Sequence, residues 1–276
     1  MLDTRIRLVT HLAPMPEPIH RFRPVVLIPV YNHPDTVREV VAHMLKFRLP
    51  VIVVDDGSDT KTTQACADCG ASDMVTVIHR KTNGGKGAAL ITGFQQAAIA
   101  DFTHVITIDS DGQFDPNSVV SLLRLAKRYP DQVICGYPKD RSCLPRWRRM
   151  LRVVSNWAAN LNALTLSIAD AHCGLRLYPL APVSQLLARI KPGRHMQFDP
   201  ELLIRLSWLG VRVRNVPIIM REPKDNISHY ANVRDSLDIA WMHCHLFLTM
   251  LTRLPLIVMA RFTGWHSIAK PASIKP

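Results

Sequence analysis

Cysteine is scarce in this 276-residue chain: there are six, at positions 66, 69, 135, 143, 173 and 244. They are too few and too spread out for the dense disulfide framework of a small secreted domain, and they read as reduced, mostly buried thiols. Cys66 and Cys69 have no second pair at ligand spacing, so neither zinc nor redox chemistry is indicated. Aromatics are 7% of the residues, and apart from Trp147 they do not interleave with basic residues as in a nucleic-acid binder. Long apolar runs are missing too. The longest, Ile239 to Thr252, is interrupted by His243 and His245 and ended by Arg253 and Pro255. That falls short of the roughly 18 to 20 residues needed to cross a bilayer and predicts an interfacial or core helix. The first 24 residues mix Asp3, Arg5, Arg7, His11, Glu17, Arg21 and Arg23 with short apolar stretches. A secretory signal has a continuous apolar region, so a cytoplasmic protein is expected.

What is present describes a folded protein with an anionic partner. The composition is 47% hydrophobic and 20% charged, which excludes a disordered or collagen-like chain. Thirty-four Lys and Arg against 22 Asp and Glu leave a net charge of +12. Nucleic acid, an anionic membrane and phosphates would all suit that charge.

From residue 25 short β-branched runs alternate with helical stretches. Val25 to Pro29 precedes Asp35 to Phe47, Val51 to Val54 precedes Asp59 to Cys69, Met74 to Ile78 precedes Gly85 to Ala100, and His104 to Ile108 precedes Pro116 to Arg128. A fifth run, Gln132 to Cys135, closes the series. Such alternation predicts an α/β fold with a mostly parallel sheet flanked by helices. After about residue 140 the regularity is lost. A basic stretch from Lys139 to Arg152 leads to a helix near Val153 to Leu164, then come loops, a helix around Pro200 to Leu209 and a strand at Val211 to Pro217. The segment Val233 to Arg261 predicts one or two apolar-faced helices broken at Pro255.

In an open parallel sheet ligands bind beyond the carboxyl ends of the strands, and four polar clusters fall there. They are Pro29-Val30-Tyr31-Asn32, Asp55-Asp56-Gly57-Ser58-Asp59, Asn83 to Gly87, and Asp109 to Gln113. Each alone is an ordinary turn or cap. Together they assemble an aromatic face, carboxylates, a Gly-flanked lysine and an Asp-x-Asp pair on one sheet edge. Asp109 and Asp111 offer hard oxygen ligands for Mg²⁺ or Mn²⁺, ions that usually combine one or two carboxylates with substrate phosphates. Lys86, between two glycines at a helix start, suits phosphate charge. The P-loop pattern and the dinucleotide-binding fingerprint are both absent. A metal-dependent site for a nucleotide diphosphate remains.

With these blocks in the order PVYN, VVDDGSDT, NGGKGAAL, TIDSDGQFDP, DAHCGLRLYP, FDPELL and SHY, the chain resembles the inverting family-two glycosyltransferases of the GT-A fold, within them the dolichyl-phosphate mannose synthase-like group. The match runs from about Val25 to His229. The resemblance implies a Rossmann-like GT-A domain over 24–230, an N-terminal extension over 1–23 and a C-terminal apolar or amphipathic helical segment over 231–276. It implies that Pro29, Tyr31, Asn32, Asp55, Asp56, Lys86, Asp109 and Ser110 bind the nucleotide sugar. In particular, Tyr31 would lie against the base, Asp56 would accept from the base's ring nitrogen, Asp55 would support the loop and Lys86 would help bind the diphosphate. Asp109, Asp111 and Gln113 would hold Mg²⁺ or Mn²⁺, with Asp111 the direct ligand.

On the acceptor side the resemblance implies Arg176, Glu201 and His229, with Tyr230 where the family has Phe. Asp199 would be the general base for a hydroxyl acceptor, whereas a lipid phosphate is already anionic and needs no proton removed. Arg141, Arg146, Arg148, Arg149 and Arg152 could meet a lipid phosphate or an anionic membrane surface. The expected activity is transfer of a sugar from a UDP- or GDP-sugar to an acceptor, a lipid or polyprenyl phosphate at the inner face of the membrane. The alternatives are a nucleotidyltransferase and a nonenzymatic binder of anionic ligands.

Overall fold

The structure, a computed structural model, describes residues 22–140, 146–221 and 232–263. Its first half follows the alternation closely: β1 (Pro24–Val30), α1 (Pro34–Lys46), β2 (Val51–Asp55), α2 (Thr60–Cys69), β3 (Val75–His79), α3 (Lys86–Ile99), β4 (His104–Thr107), α4 (Ser118–Arg128) and β5 (Val133–Pro138). The local reasons are readable. Pro34 opens α1 with its φ already set for a helix. Asp59 caps α2, its side chain accepting from the Thr62 amide at 2.8 Å. The central strands are buried on both faces and so read as continuous apolar runs.

The second half contains α5 (Arg146–Asn162), β6 (Arg176–Pro179), α6 (Leu180–Arg189), α7 (Phe198–Trp208), β7 (Val213–Ile218) and α8 (Asn232–Thr263). Three features differ from expectation. Helix α5 starts at Arg146, inside the basic stretch, and not near Val153. Strand β6 and helix α6 occupy a region read as loop. Helix α8 continues through Pro255 as one helix. The proline sits on an exposed stretch, where water can satisfy the Leu251 carbonyl that loses its partner. As a single helix α8 is long and apolar enough to cross a membrane by length and composition, which the sequence run alone was not.

The seven strands are ordered β3-β2-β1-β4-β6-β5-β7. All run parallel except β6, which is antiparallel to both neighbours, β4 and β5. The chain steps outward from β1 to β3 and then returns to the other side of β1 at β4. That reversal is the topological switch point, where a ligand crevice opens. Alternate strand residues feed two cores. Val25, Leu27 and Val105 pack towards α3, α7 and α8, while Val26, Ile28 and Ile106 pack towards α1, α2 and α4.

Helix α3 approaches β1 so closely that a Cβ on Gly93 would lie 2.0 Å from Leu27 Cδ1. Leu27 is fully buried and cannot swing away. Gly93→Val is therefore expected to destabilise the protein by about 1–3 kcal/mol through overpacking, measured by urea unfolding. An unchanged unfolding midpoint would contradict this packing.

Candidate active site

The crevice at the switch point is built from loops that the sheet aligns. After β1 come Tyr31 and His33, and after β2 the Asp55–Asp59 loop. Asp55 is buried and fully engaged. It accepts from the Ser58 amide at 3.0 Å and the Thr63 hydroxyl at 2.9 Å, and it pairs with His79 at 2.9 Å. Burial alone would raise its pKa, but these hydrogen bonds outweigh burial and hold it below the ordinary value. Asn32, at φ 55°, accepts from the Asp59 amide at 2.9 Å and donates to Ser58 Oγ at 3.1 Å. Asp55 and Asn32 thus hold two loops together, and neither lines the cavity.

Asp56 faces the cavity and also organises the next loop. It pairs with Arg80 and accepts from the Gly85 amide at 2.8 Å and the Gly84 amide at 3.2 Å. Burial raises its pKa, and these donors only partly offset the rise. Gly85, at φ 92°, sits where a Cβ would strike the His195 ring and the Arg194 carbonyl. Only glycine lets this turn press against the 193–195 loop, and that contact sets the start of α3 beside the start of α7.

Lys86, the first residue of α3, lies between two carboxylates. Its Nζ is 2.7 Å from Asp109 Oδ1 and 2.8 Å from Asp199 Oδ2. Burial would favour neutral lysine, yet the two carboxylates outweigh it and raise the Lys86 pKa above its ordinary value. Asp199 is held the opposite way. Burial raises its pKa, and Lys86 and Arg176 bring it below the ordinary value. Its Oδ1 is buried without a hydrogen-bond partner among the described residues.

Asp109 owes its place to strand β6, whose antiparallel course brings the residues before it to the end of β4. Thr107 Oγ1 donates to the Gly174 carbonyl at 2.8 Å. A Cβ on Gly174 would lie 2.1 Å from Asp109 Oδ2 and 2.6 Å from its Cγ, so the carboxylate rests directly on the glycine. Asp111 accepts from the Gln113 amide at 3.1 Å. Burial first, then the neighbouring Asp109 charge, push its pKa up to about 6. Two crowded carboxylates whose repulsion a divalent cation would relieve fit a Mg²⁺ or Mn²⁺ site. Among the described residues no set of three or more His, Cys, Asp or Glu forms a complete metal cage. That suits an ion that completes its shell with substrate oxygens and water.

One cavity of about 740 Å³ joins these groups. Pro29, Tyr31, Asp56, Lys86, Asp109, Ser110, Asp111, Gln113 and Asp199 line it together. It extends beyond Asp199 between α5 and α8, where Trp147, Leu151, Val154, Ala158, Ile239 and Ala240 form apolar walls around Arg152, Ser155, His172 and His243. Two acceptor-side candidates, like Asn32 and Asp55 on the other side, lie outside it. Arg176 is fully buried beneath the site, donating to the Asp199 carbonyl at 2.7 Å, the Ala171 carbonyl at 2.5 Å and Tyr178 Oη at 3.0 Å. It braces α7 from below and is closed off from an acceptor. Glu201 is also buried, accepting from the Gly193 amide and Arg205. His229, Tyr230 and Arg141, with the side chain of Arg148, lie outside the described residues. Of the described side chains in the basic stretch that leads into α5, Arg152 reaches the cavity, where Asp170 accepts from its Nε at 2.8 Å.

A family model described as Glycosyl transferase family 2 matches residues 25–187, more than half of the chain. The chain belongs to glycosyl transferase family 2. Two relatives are similar along most of this family-two chain. An undecaprenyl-phosphate mannosyltransferase of Micrococcus luteus is 28% identical over 207 residues, 72% of this chain and 84% of that protein. A polyprenol monophosphomannose synthase of Mycolicibacterium smegmatis is 25% identical over 223 residues, covering 78% and 84%. Among solved structures, glucosyl-3-phosphoglycerate synthase of Mycobacterium tuberculosis in complex with Mn²⁺ and UDP-glucose shares the fold. Its TM-score is 0.54 at 19% identity, covering 84% of this chain and 79% of that one.

Several residues that line the cavity or position its lining escaped the sequence reading of this family-two enzyme. Arg80 had no signal beyond its charge. His172 and Gly174 lie inside the DAHCGLRLYP block, and the glycine just ahead of a strand was the usable cue. Ser155 and His243 gave none, because only the packing of α5 on α8 brings them together, His243 Nε2 lying 2.8 Å from Ser155 Oγ. The Gly174 contact predicts that Gly174→Ala keeps the fold but displaces Asp109, lowering Mn²⁺-dependent turnover on the order of 100-fold. Wild-type thermal unfolding with wild-type turnover in this variant would contradict the placement of Asp109.

Proposed function

We propose that this enzyme transfers a sugar, with inversion, from a nucleotide diphosphate sugar to the phosphate of a polyprenyl-type lipid at the inner membrane surface. The observation that carries this reading is the single cavity. It begins among carboxylates, a lysine and an aromatic ring, and it ends between apolar helices. The two relatives named for undecaprenyl phosphate and a polyprenol support the same acceptor class.

In this reading Tyr31 packs on the base, Asp56 accepts from its ring nitrogen and Lys86 binds the diphosphate. Asp109, Asp111 and Gln113 would hold Mg²⁺ or Mn²⁺, which when bound would supply charge stabilisation for the departing nucleotide diphosphate. An acceptor phosphate oxygen forms the new bond to the anomeric carbon from the face opposite the leaving group. As that bond forms, the carbon–oxygen bond to the donor breaks and its electron pair leaves with the nucleotide diphosphate. The nucleophile is already an anion, so no base is required, and the unpartnered Asp199 Oδ1 serves as a hydrogen-bond acceptor for a substrate hydroxyl. Arg152, Ser155 and His172 receive the acceptor's head group.

The outer faces of α5 and α8 suit contact with a membrane. Met150, Val153 and Trp157 on α5 and Leu237, Trp241, Leu248 and Met259 on α8 are exposed. Helix α8 also packs Ile239, Met242, Leu246, Met250 and Ile257 against the domain along its length. That favours a helix lying along the bilayer surface over one crossing it.

The test is release of nucleotide diphosphate from a panel of UDP- and GDP-sugars, with Mn²⁺ or EDTA, and with or without vesicles carrying polyprenyl phosphate. One donor is expected to turn over, dependent on cation and stimulated by the lipid. Asp111→Ala is expected to abolish turnover, and Asp199→Asn to lower it about tenfold, short of the 10²–10⁴-fold typical of a lost general base. Full turnover on a soluble hydroxyl acceptor, lost in Asp199→Asn, would overturn the phosphate-acceptor reading.

A further inference from the structure

We propose that Lys86 is an exchangeable counterion that bars the divalent cation from binding alone and admits it together with the nucleotide diphosphate. The inference rests on the donor reading above and deepens it. Lys86 Nζ lies 2.7 Å from Asp109 Oδ1 and 2.8 Å from Asp199 Oδ2, at full hydrogen-bonding contact with both. A cation coordinated by Asp109 at about 2.1 Å needs a lone pair of the same carboxylate. It would also stand within a few ångströms of a fixed ammonium. The other side of the Asp109 carboxylate is closed by Gly174, whose hydrogen occupies the space a Cβ would need. The carboxylate has little freedom to turn a second oxygen to the ion and leave the first on Lys86.

A nucleotide diphosphate removes the conflict because it gives Lys86 another anion. The ammonium moves from carboxylate to phosphate, Asp109 becomes free for the cation, and the phosphate oxygens complete the cation's shell. The same move strips Asp199 of its ion-pair partner. Its other oxygen, Oδ1, is buried and has no hydrogen-bond partner among the described residues. Arrival of the donor therefore leaves the whole Asp199 carboxylate available to the substrate that enters from the α5–α8 side. Buried Arg176, bonded to the Asp199 carbonyl, keeps the start of α7 in place while this happens. Lys86 thereby couples three events at one point: donor entry, cation entry and exposure of Asp199.

The test is Mn²⁺ binding to the full chain, read by the electron-paramagnetic-resonance signal of free Mn²⁺, with and without GDP or UDP. The variants are Lys86→Met and Lys86→Arg, with thermal unfolding as the check on folding. Removing a neighbouring ammonium should tighten Mn²⁺ binding alone about tenfold in Lys86→Met. The same variant should bind the nucleotide diphosphate with Mn²⁺ more weakly than wild type, so that the cooperativity between the two ligands collapses from both ends. Lys86→Arg keeps the charge and should stay near wild type for Mn²⁺ alone, which separates charge from shape. If Lys86→Met binds Mn²⁺ alone with unchanged or weaker affinity while wild type binds both ligands, the exchange is wrong. If wild type binds neither nucleotide diphosphate with or without Mn²⁺, the donor reading fails and takes the exchange with it.

Discussion

An ammonium held between two carboxylates ties this molecule together, because the three residues come from three separate parts of the chain. Lys86 opens α3, Asp109 follows β4 and Asp199 lies in the first turn of α7. For them to meet, β4 must return beside β1, α3 must start against the 193–195 loop and β6 must run backwards beside β4. Glycine makes two of the close approaches around the cluster possible, Gly85 against His195 and Gly174 against Asp109. A buried ion cluster of this sort contributes little net stability, since desolvation offsets much of the attraction. Its value lies in leaving charged groups poised where an anionic substrate and a divalent cation can rearrange them.

The fold divides the labour on either side of that cluster. Towards β1 and β2 the groups are a ring, backbone amides and carboxylates fixed by loop-to-loop hydrogen bonds, which suits a nucleotide. Towards α5 and α8 the walls are apolar, and the polar groups within them belong to a network that crosses between helices. His172 Nε2 lies 2.7 Å from Ser155 Oγ, and Asn162 Nδ2 donates to the His243 carbonyl at 3.0 Å. That network fixes α8 to α5, so the apolar end of the cavity has a defined shape while the outer faces of both helices remain available to a lipid surface. The net charge of +12 suits an anionic surface and two phosphate-bearing substrates alike.

How much of this the sequence disclosed follows from where each signal resides. The strands and helices from β1 to β5 were legible because buried β-branched runs and amphipathic helices announce themselves locally. The residues that line the crevice beyond β1, β2 and β4 were legible because they cluster after strands. Strand β6 was hidden: its four residues, Arg-Leu-Tyr-Pro, carry a charge and a proline, and only the carbonyls of Asp199 and Ala171 and the Tyr178 hydroxyl make buried Arg176 tolerable. Arg176 was read as an acceptor-side residue for the same reason, since a sequence block carries no information on burial. Lys86 was read as a phosphate ligand from its flanking glycines, while its two carboxylate partners lie far along the chain and had to be found in three dimensions. Pro255 argued for a break that does not occur, because a helix on an exposed face can leave one carbonyl to water.

The central claim is that the cavity receives a sugar nucleotide at one end and a lipid phosphate at the other. Its most direct measurement follows the label: donor sugars radiolabelled in the sugar, Mn²⁺, and a short-chain polyprenyl phosphate in detergent micelles, followed by organic extraction. The account predicts that label from one donor enters the organic phase in an amount equal to the nucleotide diphosphate released, and that mild acid returns it as free sugar, as a sugar joined through phosphate requires. Nucleotide diphosphate released with the label left in the aqueous phase would contradict it.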